Sequence, residues 1–139
     1  MDTLMNGPRK TARQAYAIGI WVLVVSVLVQ VLLAGAGVFS GDATYFIWHA
    51  NYSSIIVFLL PLILIAVGWY ARLPRQTLLL TAVVPGLVIV QSLLLIPYHM
   101  SAPGVWRALA GLHAVNALFI FLVAVRLLER VRASDQPRA

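Results

Sequence analysis

The sequence predicts an all-α integral membrane protein: an antiparallel four-helix bundle of up-down-up-down connectivity, with both termini cytoplasmic. Three observations predict it. Four apolar stretches of about 20 or more residues follow one another, each enough to cross a hydrocarbon core of about 30 Å. Of the 139 residues, 62% are hydrophobic and 10% charged, where a soluble domain carries about 25% charged residues. Nine of the ten Lys and Arg residues gather at three places: Arg9, Lys10 and Arg13; Arg72 and Arg75; and Arg126, Arg130, Arg132 and Arg138. Basic residues flanking apolar spans mark the cytoplasmic side, and only Arg107 departs from that pattern.

Each element can be justified in turn. Residues 1–14 form a polar tail, in which Asn6-Gly7-Pro8 reads as irregular chain. The first span runs over about 15–38; its apolar run is far longer than the roughly 7–15 residues of a signal-peptide core, so it reads as a retained helix. Ser40-Gly41-Asp42, with an acid and no base, is an outer turn. The second span covers about 45–70, with Trp48, Trp69 and Tyr70 near its ends as in an aromatic belt. Pro61 inside it predicts a kink whose freed carbonyl a neighbouring helix can satisfy. Arg72-Leu73-Pro74-Arg75 is a short cytoplasmic turn. The third span, about 77–96, holds Pro85-Gly86, a second expected bend. Residues 97–104 make the other outer turn, with His99, and the fourth span covers about 105–128. The remainder, 129–139, is a basic, polar tail. The whole is one transmembrane domain, with no evident internal repeat.

Composition excludes several functions. With no cysteine, disulfides, thiolate catalysis, iron–sulfur ligation and covalent haem attachment are ruled out. The sequence pI near 10.6 encodes orientation and not a nucleic-acid partner, because the charge lies at the span ends. The expected contacts are the lipid bilayer and other subunits of a membrane respiratory or redox complex.

Polar side chains inside spans are costly and mark functional sites by default. Here Gln30, His49, Gln91 and His113 fall one to a span. At 1.5 Å per residue they lie about 12, 6, 8 and 12 Å from the outer ends of their helices. All four therefore sit in the outer half, whereas the inner half offers little beyond Ser26 and Thr81. Asn116 lies three residues beyond His113, on the same helical face. Small residues accompany them: Ser26, Gln30, Ala34 and Gly37 share one face, and Ala110, His113, Ala117 and Ala124 another. Such faces let helices approach closely and equally leave room for a flat macrocycle.

Two imidazoles on alternate helices are suited to the two axial positions of one haem. A structural zinc wants four ligands, and a proton path wants intramembrane acids, of which there are none. Ser53 and Ser54 near His49 lack an orienting acid, so nucleophilic catalysis is not expected. The candidate metal ligands are His49 and His113, with Gln30, Gln91 and Asn116 lining or bracing the pocket. The simplest structural account treats the polar residues as interhelical fasteners and His99 as an interfacial group.

These residues resemble one four-helix half of the heme A synthase family. That family carries a haem-ligating His on the second and fourth helix of each half. Gln30-Val31-Leu32-Leu33-Ala34-Gly35 and Gln91-Ser92-Leu93-Leu94 are similar to its first- and third-helix stretches, and Pro103 through His113 to its proline turn and fourth-helix His. Leu112 through Ala117 resembles a Leu-His-Pro-Val-Asn-Ala motif of small uncharacterised bacterial membrane proteins built as one such half. Two features depart from the heme A synthases. Ala50 follows His49 where an Arg is usual, and Ile47-Trp48 replaces an expected carboxylate. A single half lacks the second haem site, so oxygenation of a haem side chain is not implied. The resemblance implies a bis-histidyl haem b protein of the bacterial plasma membrane, serving one-electron transfer or haem holding near the outer face. The contrasting expectations are a cofactor-free small accessory subunit of a larger membrane complex, and a helper that binds a quinone or other small molecule.

Overall fold

The computed structural model describes residues 2–135; the end of the basic tail, including Arg138, lies outside the described residues. Helix α1 covers Asp2–Ser40 and α2 covers Ala43–Tyr70. Helix α3 covers Arg75–Leu93 and α4 covers Leu112–Asp135. Single helical turns at Ile96–His99 and Gly104–Ala108 and a 3-10 turn at Leu109–Gly111 link α3 to α4. Among the described residues there is no strand. Four segments, Gly7–Ser40, Ala43–Tyr70, Arg75–His99 and Gly104–Ala133, are long and apolar enough to cross a membrane.

Each helix packs on its neighbours in sequence, and α4 closes back onto α1, so the four stand around a square. The short connections make neighbours antiparallel. At one end the Arg13 Nε donates to the Ala71 carbonyl at 3.3 Å, tying the start of α1 to the end of α2. At the other end Gln30 meets His49. The perimeter is apolar: Leu32, Ile63 and Leu118 are 69%, 59% and 63% exposed. A helix that is apolar all round is one that meets a protein core or lipid, which is consistent with a multi-pass membrane protein.

Two expectations about local structure are corrected. The Asn6-Gly7-Pro8 stretch, read as irregular, is helical, and α1 begins at Asp2. Proline's fixed φ near −65° suits a helix, and its cost falls on the preceding turn; the residues after it include the strong helix formers Arg9, Lys10, Ala12, Arg13 and Gln14. The polar tail after 128 likewise continues as helix to Asp135. Pro61 takes effect on the turn before it. Having no N–H, it cannot bond to Val57 four residues back, and residues Ser53–Phe58 widen into a π-helical turn. The ladder is thereby re-formed without a break in α2.

Burial is uneven along the bundle axis. Tyr16, Ile20 and Leu23 pack with Leu64, Val84, Ala124 and Leu127 in the half of the bundle where α1 begins and α2 ends, all at most 3% exposed. The Tyr16 hydroxyl meets Thr81 Oγ1 at 2.6 Å, and Thr81 donates to the Thr77 carbonyl. Among the described residues, the buried apolar side chains end toward the α1–α2 connection at Val27 in α1, Val57 in α2, Val88 in α3 and Ile120 in α4. Beyond that level the buried side chains are Gln30, Gln91 and Asn116. The half that holds the α1–α2 and α3–α4 connections is built around polar groups instead of a packed hydrocarbon core.

Candidate functional site

The site is assembled from two helical hairpins that use the same bond. In the first, His49 Nδ1 lies 3.0 Å from the Gln30 main-chain oxygen, and Gln30 Nε2 donates to the His49 main-chain oxygen at 3.0 Å. In the second, His113 Nδ1 lies 3.1 Å from the Gln91 main-chain oxygen. A carbonyl only accepts, so each imidazole donates from Nδ1, and each neutral ring carries its lone pair on Nε2. Among the described residues neither Nε2 has a hydrogen-bond partner. This is the arrangement in which a histidine ligates: one nitrogen fixed by a backbone carbonyl, the other left as donor atom.

The two rings come together across the square, from α2 and α4. Their centroids are 6.1 Å apart with an interplanar angle of 52°. A metal–imidazole bond is about 2.0–2.1 Å, and a ring nitrogen lies about 1.1 Å from the ring centre, so two imidazoles on opposite sides of one ion have centroids at most about 6.2–6.4 Å apart. The observed spacing lies within that limit. Among the described residues no three His, Cys, Asp or Glu side chains cluster. Two donors are too few for a structural zinc, which takes four. A haem would need only two, because its porphyrin would supply the remaining ligands.

The floor below the rings is polar and interlocked. Asn116 Nδ2 donates to the Leu87 carbonyl at 2.9 Å and to Gln91 Oε1. Gln91 thus acts as an acceptor twice, through its side chain to Asn116 and through its main chain to His113. Tyr52, three residues after His49 and on the same helical face, donates to Ser26 Oγ at 3.1 Å. Sequence reasoning did not single out Tyr52; its spacing from His49 was the available signal. Gln30 is 7% exposed, yet among the described residues its Oε1 has no partner. A buried acceptor without a donor costs about 1–3 kcal/mol, so this oxygen is suited to a donor from an occupant or a water.

Both histidines are half-buried, and at Gly37, on the Gln30 face, an added Cβ would meet the Phe46 ring at 2.8 Å. His99 stands apart in the Ile96–His99 turn, exposed and edge-on to the Tyr98 ring at 5.7 Å. Tyr98 also carries the Arg107 guanidinium over its face, 5.1 Å from the centroid.

Fold and site together define an apolar four-helix bundle with a facing pair of imidazoles in one half. Residues 30–102 match DUF6220, a family of unknown function, and the chain belongs to that family. The matched segment begins at Gln30 and includes His49, Gln91 and His99; His113 and Asn116 lie beyond it. No curated protein and no solved structure matches the chain.

Proposed function

We propose that the protein spans a bacterial plasma membrane four times, with both termini cytoplasmic, and holds one haem b between His49 and His113. The observation that carries this reading is the pair of rings 6.1 Å apart, each anchored through Nδ1 to a carbonyl of the preceding helix. When bound, the haem supplies one-electron chemistry, so the role is electron transfer or haem holding near the outer face. The resemblance of the Gln30 and Gln91 stretches to one half of the heme A synthases points the same way.

The chain's own residues would act as follows. Gln30 and Gln91 fix the imidazole orientations through their carbonyls. Anchoring Nδ1–H in this way raises the basicity of the other nitrogen and sets its direction. Asn116 braces Gln91, and Val27, Val57, Val88 and Ile120 seal the pocket from the inner half. In place of the Arg that would follow His49 in the heme A synthases, Arg107 is the basic residue in the outer half and the candidate partner of a propionate.

A visible spectrum of full-length protein from haem-replete cells tests the reading. A dithionite-reduced spectrum with a resolved α band, at about one haem per chain, is expected, and His49→Ala and His113→Ala should each abolish it. Folded wild type isolated without haem from such cells would refute it. The same hydrogen bonds also favour a second reading, a cofactor-free accessory subunit in which Gln30–His49 and Gln91–His113 only fasten helices. That subunit would co-purify with a larger membrane complex and show no such spectrum.

A further inference from the structure

At the opposite end of the bundle, where α1 begins and α2 ends, Arg9, Lys10, Arg13, Ala71 and Arg72 line a cavity of about 260 Å³. Four of the five lining residues are cations and none is an acid. Arg13 is held there by its bond to the Ala71 carbonyl, so its guanidinium is positioned by the backbone. Arg72 gives an independent sign. It occupies the position just past the end of α2 with φ +54°, where the Arg72 N–H bonds to the Trp69 carbonyl and the Leu73 N–H to the Gly68 carbonyl. That left-handed position favours glycine, and a side chain there costs about 1–2 kcal/mol. The chain keeps an arginine at this strained site, beside a cavity already lined by three other cations.

We infer that this cavity is a phosphate site, and that it takes the headgroup of an anionic phospholipid. Guanidinium groups present paired N–H donors that match phosphate oxygens, and basic pockets at the ends of membrane helices bind anionic headgroups. A headgroup source follows from position. Trp69 and Tyr70, exposed at the end of α2, immediately precede the lining residues Ala71 and Arg72 and are of the types that settle at a membrane interface. The inference rests on the membrane-spanning reading and is independent of the haem.

The test uses full-length, delipidated protein in a neutral maltoside detergent, with its thermal midpoint followed during titration. Three ligands are compared: short-chain phosphatidylglycerol, short-chain phosphatidylcholine and inorganic phosphate. Phosphatidylglycerol should raise the midpoint saturably, and phosphatidylcholine should not. Arg72→Gly relieves the positive φ and so keeps the fold, yet should weaken the apparent affinity about 5-fold, and Lys10→Gln/Arg72→Gly about 25-fold. Arg126→Gln, which removes a cation that pairs with Glu129 outside the cavity, should leave the response unchanged. If inorganic phosphate reproduces the whole effect, the site is a phosphate site and the headgroup assignment falls. Equal responses to both lipids, no response at all, or an Arg126→Gln loss as large as that of Arg72→Gly would overturn the site itself. Whether the protein needs detergent for extraction reports membrane insertion separately.

Discussion

Replacing Asn116 with leucine removes two interhelical hydrogen bonds and tests the polar floor of the site. Asn116 donates both to the Leu87 carbonyl and to Gln91 Oε1. In a lipid-like environment each such bond contributes about 0.6–1.7 kcal/mol, so the pair amounts to about 1–3 kcal/mol. The Gln91 side chain, 9% exposed, is then left with a buried acceptor, which adds about 1–3 kcal/mol. Leucine offsets part of this through its own apolar burial. The expected net loss is about 2–4 kcal/mol. The assay is a double-mutant cycle of Asn116→Leu, Gln91→Leu and the double variant, unfolded by heat or denaturing detergent from the same micelle. The double variant should be about 1 kcal/mol more stable than the sum of the two losses, because removing both partners orphans neither. Losses that add within about 0.3–0.5 kcal/mol would show that the two carboxamides do not interact, and the bracing of His113 through Gln91 would go with them.

Other consequences follow from single contacts. A Cβ added at Gly68 would lie 2.7 Å from Leu78 Cδ2 and 3.2 Å from both Leu73 Cδ1 and Tyr16 Cε2; Gly68→Ala should therefore lower stability by about 1–3 kcal/mol, read as a reduced thermal midpoint. Tyr16→Phe should lose about 0.5–1.5 kcal/mol in the same assay, since Thr81 keeps its bond to the Thr77 carbonyl. Asp42 caps α2 by accepting from the Thr44 N–H at 2.8 Å, and that bond holds its carboxyl below the ordinary value of 3.8. A lowered carboxylate pKa stabilises above the unfolded value and is lost as pH falls through the folded one. Stability measured from neutral pH down to about pH 2 should thus decline less steeply in Asp42→Asn, which keeps the cap without the charge. Identical acid limbs would remove the cap from the account.

Much of the architecture was legible because hydropathy and charge are summed over about 20 residues per span, and no single side chain decides them. Depth was legible for the same reason: counting along a helix placed Gln30, His49, Gln91 and His113 at one level. Which atom of each would bond was not. Gln91 reads in sequence as a side-chain donor, but its side chain accepts from Asn116 and its main chain accepts from His113. That outcome depends on the rotation of α3 against α4, which residue spacing does not encode. Pro61 signalled a disturbance of α2 but not its form, because a kink and a π turn are alternative answers to the same missing N–H. The ends of α1 and α4 were missed because a polar, basic composition suits an exposed helix as well as an irregular tail.

The two hairpins solve one problem twice, although their sequences show no evident repeat. In each, a glutamine toward the C-terminal end of the first helix offers its main-chain oxygen to a histidine on the second. The contacts are between a side chain and the backbone, so they require a residue to be present at a height and leave the intervening sequence free to diverge. The bond joins 30 to 49 in one hairpin and 91 to 113 in the other, so the spacings differ and a fixed-period comparison passes over them. The arrangement also makes the distance between the rings a property of all four helices: α1 and α3 hold the imidazoles, while α2 and α4 carry them. A change in the packing of any one helix moves a ring. On the proposed reading, an ion held between the rings would link the two hairpins at the one level where the apolar core is missing, so ligand binding and the stability of that half should rise and fall together.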